Sequence, residues 1–360
     1  MLKFGRTIAR GRIWILAVSL VLLIPAAIGY FNTRVNYDIL YYLPDDIETM
    51  QGQDVLLKDF GKGAYALLVV EGMTDPQAAR LKEQVEAVDH VEEVIWYDTF
   101  VSDNIPQDLL PKKIYNIFHS DNATLMAVFF DGGTSETSTM DAIEEIRKVA
   151  GEQCFMSSMS AIVTDTKNLV EDQLVWYVSI AVILSAIVMA ITMDSWMAPV
   201  LFLLNIGIAV VYNLGTNVIQ GEISFITMSL AAVLQLAVTM DYSIFLWDSY
   251  REMKGSYFDK EEAMAHAIAA TITSVAGSSL TTIAGFIALC FMTFTLGLDM
   301  GIVMAKGVVL GVIACVTILP SLILVFDRAI TAAHHKPLTI KGDRLAGSIV
   351  KHHRLLMVLS

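Results

Sequence analysis

The feature that most constrains this chain is a set of six apolar stretches, each close to the length that crosses a bilayer. A helix needs roughly 20 apolar residues to span about 30 Å of hydrocarbon. Hydrophobic residues make up 55% of the 360 residues and charged ones only 17%, which is too apolar for an ordinary soluble domain. We therefore predict an α-helical polytopic membrane protein with a six-helix transmembrane bundle. The predicted spans are residues 12–31, 173–193, 198–219, 223–247, 268–292 and 299–326.

The charges at the two ends predict the orientation in the membrane. Basic residues collect on the cytoplasmic side of spans. The first stretch follows Lys3, Arg6, Arg10 and Arg12, and the tail contains Arg328, Lys336, Lys341, Arg344, Lys351 and Arg354. Both ends are therefore predicted to be cytoplasmic, in a multi-pass protein of the plasma or inner membrane. The alternative for the first stretch is a signal peptide, but its apolar run is long and lacks a small-x-small exit.

Acidic residues concentrate between the first two spans. Residues 32–172 hold 26 Asp and Glu against 10 Lys and Arg. A chain that binds nucleic acid needs a basic face, so nucleic acid is not an expected partner. The predicted orientation places this acidic segment outside the cytoplasm.

The same segment is predicted to form an α+β domain. Helices 75–88 and 136–150 each place apolar residues on one face, and the first begins with Asp-Pro. Strand, helix and strand repeated twice is the order of a ferredoxin-like fold. The predicted strands are Tyr65–Val70, Val91–Trp96, Leu125–Phe130 and Cys154–Met159.

The most informative candidate site is Asp241, which lies inside the fourth span and is followed by Tyr242. Ten residues at 1.5 Å each separate it from Arg251, which places it roughly 15 Å into the membrane. A carboxylate there costs several kcal/mol unless it is protonated, paired or hydrated. Asp241 is therefore a candidate proton carrier, with Tyr242 as its hydrogen-bonding neighbour. The alternative is a neutral residue that packs between helices.

Two other spans supply candidate neighbours for Asp241. Ser274, Ser278 and Thr282 repeat every fourth residue, so they share one helix face. Hydroxyls on such a face either take part in a proton relay or bond to their own backbone. Lys306 in the sixth span is a possible charge partner of Asp241. Its long side chain can equally extend to the membrane surface.

Signatures of catalysis are missing from the sequence. It contains no P-loop, GxSxG or HExxH, so ATP is not the expected energy source and an enzyme is not predicted. Three scattered cysteines are too few for a disulfide framework or a metal site. We predict neither a cofactor nor a metal.

The end of the chain resembles its beginning. Residues 346–360 and residues 5–19 have small, hydroxyl, apolar and basic residues in the same order. Ser348 matches Thr7, and Lys351 matches Arg10. A spanning helix cannot end in mid-bilayer with its backbone unsatisfied. This pattern predicts the start of a seventh span, hence the N-terminal half of a duplicated protein. Its expected partners are a missing C-terminal half or an oligomer partner, together with membrane lipids.

Four segments carry a family resemblance. They are LAVTMDYSIFL, SSLTTIAGFIAL, MGIVMAKGVVLGVIACVTILP, and NYDILYYLPDDIETMQGQDVLLKDFG after the first span. With the arrangement of spans, they resemble the resistance-nodulation-division superfamily in its MmpL-like branch. The resemblance implies four regions: a cytoplasmic N-terminus with the first span over 1–31, an extracytoplasmic α+β porter domain over 32–172, spans two to six over 173–327, and a basic cytoplasmic linker with a truncated start of span seven over 328–360.

The same resemblance implies an exporter of hydrophobic or lipid-like substrates, driven by the proton motive force. It assigns Asp241 and Tyr242 to the proton relay and puts Ser278 close to them, whereas a second Asp-Tyr pair belongs to the other half. Two alternatives stay open. One is a non-transporting lipid-sensing or sterol-sensing protein or assembly scaffold with the same membrane fold, and the other is an accessory of the SecD/SecF type.

Overall fold

The structure is a computed structural model that describes residues 1–60, 63–100 and 112–336. The helices are α1 Leu2–Arg10, α2 Arg12–Asn32, α3 Glu48–Phe60, α4 Asp75–Glu86, α5 Lys112–Phe118, α6 Thr137–Ala150, α7 Met159–Thr192, α8 Met197–Gly215, α9 Phe225–Ser256, α10 Lys260–Leu289, α11 Leu296–Val325 and α12 Asp327–Ala332. The strands are β1 Arg34–Asn36, β2 Tyr65–Glu71, β3 Val91–Ile95, β4 His119–Ser120, β5 Ala123–Phe130, β6 Cys154–Ser157 and β7 Glu222–Ser224.

Within the described residues, six helices are long and apolar enough to cross a membrane, as predicted. They are α2, α7, α8, α9, α10 and α11, the third extended by a short 3₁₀ turn to Ile219. The centre of the bundle is α11, which packs against α2, α8, α9 and α10. In contrast, α7 lies at the edge and exposes most of its apolar surface. This exposure suits a helix surrounded by lipid.

The register between α9 and α11 is set by contacts at two levels. At the start of both helices, the Asp299 carboxylate accepts hydrogen bonds from the Thr227 hydroxyl (2.6 Å) and the Ser224 amide (3.0 Å). Further along, Gly311 faces Thr239, and a Cβ at Gly311 would meet the Thr239 hydroxyl. Both contacts join residues 72 positions apart, so the two helices run parallel without a shift in register.

A four-stranded sheet with an added short strand forms a separate layer, here called the sheet domain. Its strand order is β3-β5-β2-β6, with every pair antiparallel and β4 paired to β5. Helix α4 connects β2 to β3, and α6 connects β5 to β6. The predicted strands and helices of this segment are confirmed to within a few residues. Their apolar periodicity was a reliable signal because one face of the sheet and one face of each helix pack against each other.

The largest buried side chains of the sheet domain lie between its strands and helices. They include Leu68, Trp96, Met126, Phe130, Ile143 and Ile146. Two buried polar side chains in this core are bonded: the Trp96 indole donates to the Thr124 hydroxyl (2.7 Å), which donates to the Phe118 carbonyl (3.0 Å). The domain therefore satisfies these buried groups internally.

The second apolar stretch belongs to a helix much longer than predicted. Helix α7 has 34 residues, and the predicted boundary at residue 172 falls inside it. Ser158 caps its start by accepting from the Ala161 amide (2.9 Å), and no Gly or Pro interrupts it. Its first turns pack against α6, β2 and β6. One rigid helix thus runs from the sheet domain into the bundle.

A two-stranded parallel sheet, absent from the prediction, also joins distant parts of the chain. Strand β1 follows α2 and pairs with β7, which leads into α9, in the register Val35 to Ile223. Each strand has only three residues, too few to show a strand pattern in sequence. The predicted start of a seventh span at residues 346–360 lies outside the described residues.

Candidate functional site

Asp241 lies on a face of α9 that the described residues leave open. Leu230, Leu234, Asp241 and Phe245 form this exposed stripe, at helical spacing. No cation of the described residues forms an ion pair with Asp241; the ion pairs of the bundle lie further along, among residues such as Arg251, Lys254 and Lys260. The carboxyl group therefore points out of this bundle.

Tyr242 points into the bundle, because consecutive helical residues are rotated by about 100° around the helix axis. Its side chain is only 3% exposed. The phenol hydroxyl lies beside the hydroxyls of Ser278 and Thr282 on α10, although its geometry gives no hydrogen bond among the described residues. The Thr282 hydroxyl donates to the Ser278 carbonyl (3.0 Å), which leaves its oxygen free to accept from Tyr242.

The predicted hydroxyl face of α10 therefore divides in two. Ser278 and Thr282 lie next to Tyr242, as the resemblance implied for Ser278. Ser274 lies about one turn away in an exposed position, and its hydroxyl bonds to the Ala270 carbonyl (3.4 Å). The structure thus brings together Tyr242, Ser278 and Thr282, with Asp241 as the next residue along α9.

The charge pair between Lys306 and Asp241 is not formed. The Lys306 ammonium donates to the Asn217 side-chain oxygen instead. In the register of α9 and α11, Lys306 is level with Leu234, which is seven residues before Asp241. At 1.5 Å per residue the two charges differ in depth by about 10 Å. Lys306 belongs to the sheet-domain end of the bundle.

Sequence reasoning missed the amide side chains of α8 and of the 3₁₀ turn that follows it. Asn205, Asn213 and Asn217 are fully or almost fully buried, and their spacing of eight and four residues puts them on one helix face. Asn213 donates to the Gln235 oxygen (3.0 Å) on α9. The signal was present as three amides at helical spacing inside one apolar stretch, where uncharged polar residues are expensive.

Two of these amides, Asn213 and Asn217, belong to a series of buried or half-buried polar groups between the end of α8, α9 and α11. From the sheet-domain end the series runs through Lys306 with Asn217, then Asn213 with Gln235, then Thr239, and then Tyr242. Asn213, Gln235, Thr239 and Tyr242 each keep an atom without a hydrogen-bond partner among the described residues. Such groups attract water or a proton donor, because an unsatisfied buried polar atom is costly.

The opposite end of the bundle is held by surface charges. Asp327 bonds Lys254 (3.0 Å) and Lys260 (3.1 Å), and Arg6 bonds Glu262. Burial acts to raise the pKa of Asp327, but its hydrogen bonds with the two lysines outweigh burial, and the pKa is lowered. In residues 1–60, 63–100 and 112–336, no group of three or more His, Cys, Asp or Glu side chains could hold a metal ion.

Comparison with known families decides where this arrangement belongs. A sequence model of the MMPL family matches residues 42–346, which is most of the chain. The chain belongs to the MMPL family. Its matched region contains the sheet domain, Asp241, Tyr242, Ser278 and Lys306.

Relatives in this family include membrane and transport proteins. A putative membrane protein of Methanocaldococcus jannaschii is 24% identical over 68% of this chain. The probable transport protein MmpL4 of Mycobacterium leprae is 22% identical over 61% of it. The chain spans 63% and 24% of the lengths of these two relatives. A crystal structure of SecDF in its super-membrane-facing form covers 90% of this chain and 39% of its own, with 16% identity and a TM-score of 0.46.

Proposed function

We propose that this MMPL chain is part of a proton-driven exporter of hydrophobic or lipid-like substrates. The observation that carries the proposal is the Asp241–Tyr242 pair, in which an ionisable side chain faces outward in the middle of a spanning helix. Ionisable residues inside membranes are costly and mark ion or proton pathways. Transport relatives in the same family support an exporter.

The proposed proton step uses Asp241 as the carrier. A proton entering from the sheet-domain side neutralises the carboxylate, which removes the cost of holding a charge in a low-dielectric region. Loss of the proton on the other side restores the charge. The hydroxyls of Tyr242, Ser278 and Thr282 then form a cluster, and the hydrogen bonds within this cluster rearrange when the charge of Asp241 changes. The buried amides Asn217, Asn213 and Gln235 offer polar contacts along the way in.

The proposed link from the bundle to the substrate is mechanical. Helix α7 is continuous from the membrane into the sheet domain, and the β1–β7 pair joins the ends of α2 and α9. A change in packing around α9 is therefore transmitted to the sheet domain. We propose that the sheet domain is a ferredoxin-like porter domain, because its strands run antiparallel in the order β3-β5-β2-β6 with two crossover helices.

The proposed orientation puts the sheet domain outside the cytoplasm of a plasma or inner membrane. The support is the charge at the other end of the bundle, where Arg6, Arg12, Lys254 and Lys260 gather. The open face of α9 with Asp241 is proposed to meet a second six-helix unit, as the C-terminal half of a longer protein or as an oligomer partner. Such a unit removes Asp241 from lipid contact.

The test is an Asp241→Asn substitution in the natural full-length protein, with proton movement followed in proteoliposomes by a pH-sensitive dye. The amide keeps the shape of the side chain but cannot change charge, so coupled proton movement falls by about 100-fold or more. Asp248→Asn is the matched control, because this exposed carboxylate lies on the same helix two turns closer to the basic end. Undiminished proton movement and export in Asp241→Asn rejects the proposal and favours a non-transporting lipid sensor or scaffold.

A further inference from the structure

A small cavity of about 10 Å³ lies inside the bundle, between α8, α9 and α11. Roughly 10–15 Å³ is the space that one water molecule needs. A cavity of this size stays empty when its wall is apolar, and it holds a water when the wall offers about two to four hydrogen-bond partners. The polar atoms of the wall therefore decide what this cavity contains.

The polar part of the wall is the amide pair of Asn213 and Gln235, which are 1% and 5% exposed. The Asn213 nitrogen donates to the Gln235 oxygen (3.0 Å), and no described residue bonds the Asn213 oxygen or the Gln235 nitrogen. Exchanging the nitrogen and oxygen of both amides gives the same result, because one bond between two amides leaves one acceptor and one donor free. The wall thus offers a water one acceptor and one donor.

The space beside this amide pair depends on a glycine. Gly307 of α11 faces the pair, and a Cβ at this position would lie 2.6 Å from the Asn213 side-chain nitrogen. Gly311 lies one turn further along and faces the Thr239 hydroxyl in the same way. Gln235 and Thr239 each precede their facing glycine by 72 residues, so the two contacts form one seam between α9 and α11. The missing side chains therefore leave space next to polar atoms.

The remaining wall of the cavity is apolar and includes Phe286, Met304 and Val308. These side chains offer no competing hydrogen bond, so the amide pair alone orients the water. The water donates one hydrogen to the Asn213 oxygen and accepts one from the Gln235 nitrogen. It keeps a second hydrogen and a second lone pair, so it can take up a proton on one side while it releases another proton on the opposite side.

We propose that this cavity binds one water molecule, which passes the incoming proton from the Lys306 end of the bundle towards Thr239. Thr239 follows Gln235 by four residues, or about 6 Å along α9. Its hydroxyl is buried and has no hydrogen-bond partner among the described residues. The relay role rests on the proposed proton-driven function. The presence of the water does not, because it needs no gradient.

The bound water is tested by X-ray radiolysis of the natural full-length protein in nanodiscs, followed by mass spectrometry. Hydroxyl radicals formed from a bound water oxidise the side chains beside it. Met304, at the cavity, is expected to be oxidised several-fold faster than Met264, although both are buried, at 4% and 0% exposure. Asn213→Leu combined with Gln235→Leu removes both polar partners and lowers the oxidation of Met304 to the rate of Met264. Equal rates in the unaltered protein, or an unchanged Met304 rate in the double variant, overturn the proposal.

The relay is tested by Gly307→Ala, in protein that elutes from size-exclusion chromatography as the unaltered protein does. The added methyl group pushes the Asn213 amide into the cavity, so the oxidation of Met304 falls. Because the proton path loses its geometry, proton movement in proteoliposomes falls by about tenfold or more. Gly207→Ala is the matched control, since its Cβ meets no atom within 4 Å.

Loss of Met304 oxidation with undiminished proton movement in Gly307→Ala overturns the relay. This outcome is distinct from failure of the proposed function, which is undiminished proton movement and export in Asp241→Asn. Radiolysis needs no gradient, so a negative result there leaves the proton-driven function standing.

Discussion

The sheet domain and the helix bundle treat their buried polar groups in different ways. In the sheet domain the Trp96 indole, the Thr124 hydroxyl and the Phe118 carbonyl form a closed chain of hydrogen bonds. In the bundle, Asn205 and Thr239 are buried with polar side-chain atoms that bond to none of the described residues. Buried polar groups are normally satisfied, and exceptions require a reason. Among the described residues such atoms are more numerous in the bundle than in the sheet domain, where the buried Thr139 hydroxyl is one of them, and we propose that those of the bundle serve the movement of protons.

The two regions also pack by different means. Large side chains such as Phe130 and Met126 fill the core of the sheet domain. In the bundle, α2 and α8 approach so closely that a Cβ at Gly215 would collide with the Ala26 carbonyl. Small residues allow such backbone contact between membrane helices, where lipid removes the usual hydrophobic drive.

The largest expected effect tests this helix contact. Gly215→Ala forces α2 and α8 apart, and overpacking of this kind costs about 1–3 kcal/mol. Gly207→Ala on the same helix is the control, because its Cβ meets no atom within 4 Å. Alkylation of Cys315, which is buried in the bundle, measures unfolding. Equal stability of the two variants would contradict the role given to the glycine contact.

The next effect sharpens the comparison of polar groups. Thr124→Val leaves the buried Trp96 indole without an acceptor, which costs about 1–3 kcal/mol. Gln235→Met removes the acceptor of the Asn213 amide. Hydrogen bonds between membrane helices contribute only about 0.6 kcal/mol on average, because the unfolded chain in the membrane finds other partners, so the loss of stability is expected to stay under about 1 kcal/mol. Proton movement, in contrast, should fall only in Gln235→Met. Hydrogen exchange in β5 and α9 measures the two stabilities separately.

The opposite pattern would contradict this comparison. In that pattern Thr124→Val remains stable, whereas Gln235→Met unfolds and its folded fraction still moves protons normally. It would make the amides of the bundle structural. Asn213→Leu combined with Gln235→Leu then gives an independent check, because it removes both halves of the pair and leaves no lone amide.

The smallest expected effect concerns pH at the basic end of the bundle. The pKa of Asp327 is lowered in the folded chain, so the carboxylate stabilises the fold above the unfolded pKa of about 3.9. This contribution is lost as the pH falls through the lower, folded pKa. Partly exposed ion pairs contribute under about 1 kcal/mol. Thermal unfolding of the parent chain and of Asp327→Asn at pH 7 and at pH 3 measures this contribution. A stability difference between the two chains that is equal at both pH values would rule the contribution out.

Local patterns in the sequence predicted most elements correctly. The strands around Leu68 and Met126 and the helices around Val85 and Ile146 follow from apolar periodicity, which depends on neighbours along the chain. The six spans follow from length and composition in the same way. Asp241 stood out because a carboxylate in an apolar stretch is anomalous without any knowledge of its neighbours.

The sequence by itself therefore determined the class of protein, its spans, its strands and the position of its most unusual charge. Only the tertiary structure decided that Lys306 bonds Asn217 rather than Asp241, that Tyr242 faces Ser278, and that α7 joins the sheet domain to the bundle. The physical reason is that the position of a span depends on the free energy of transferring its own residues into lipid. A contact between two helices depends instead on how each helix is rotated about its axis and how deep it lies in the membrane. Those quantities are fixed by packing between residues far apart in the chain, as at Gly311 and Thr239.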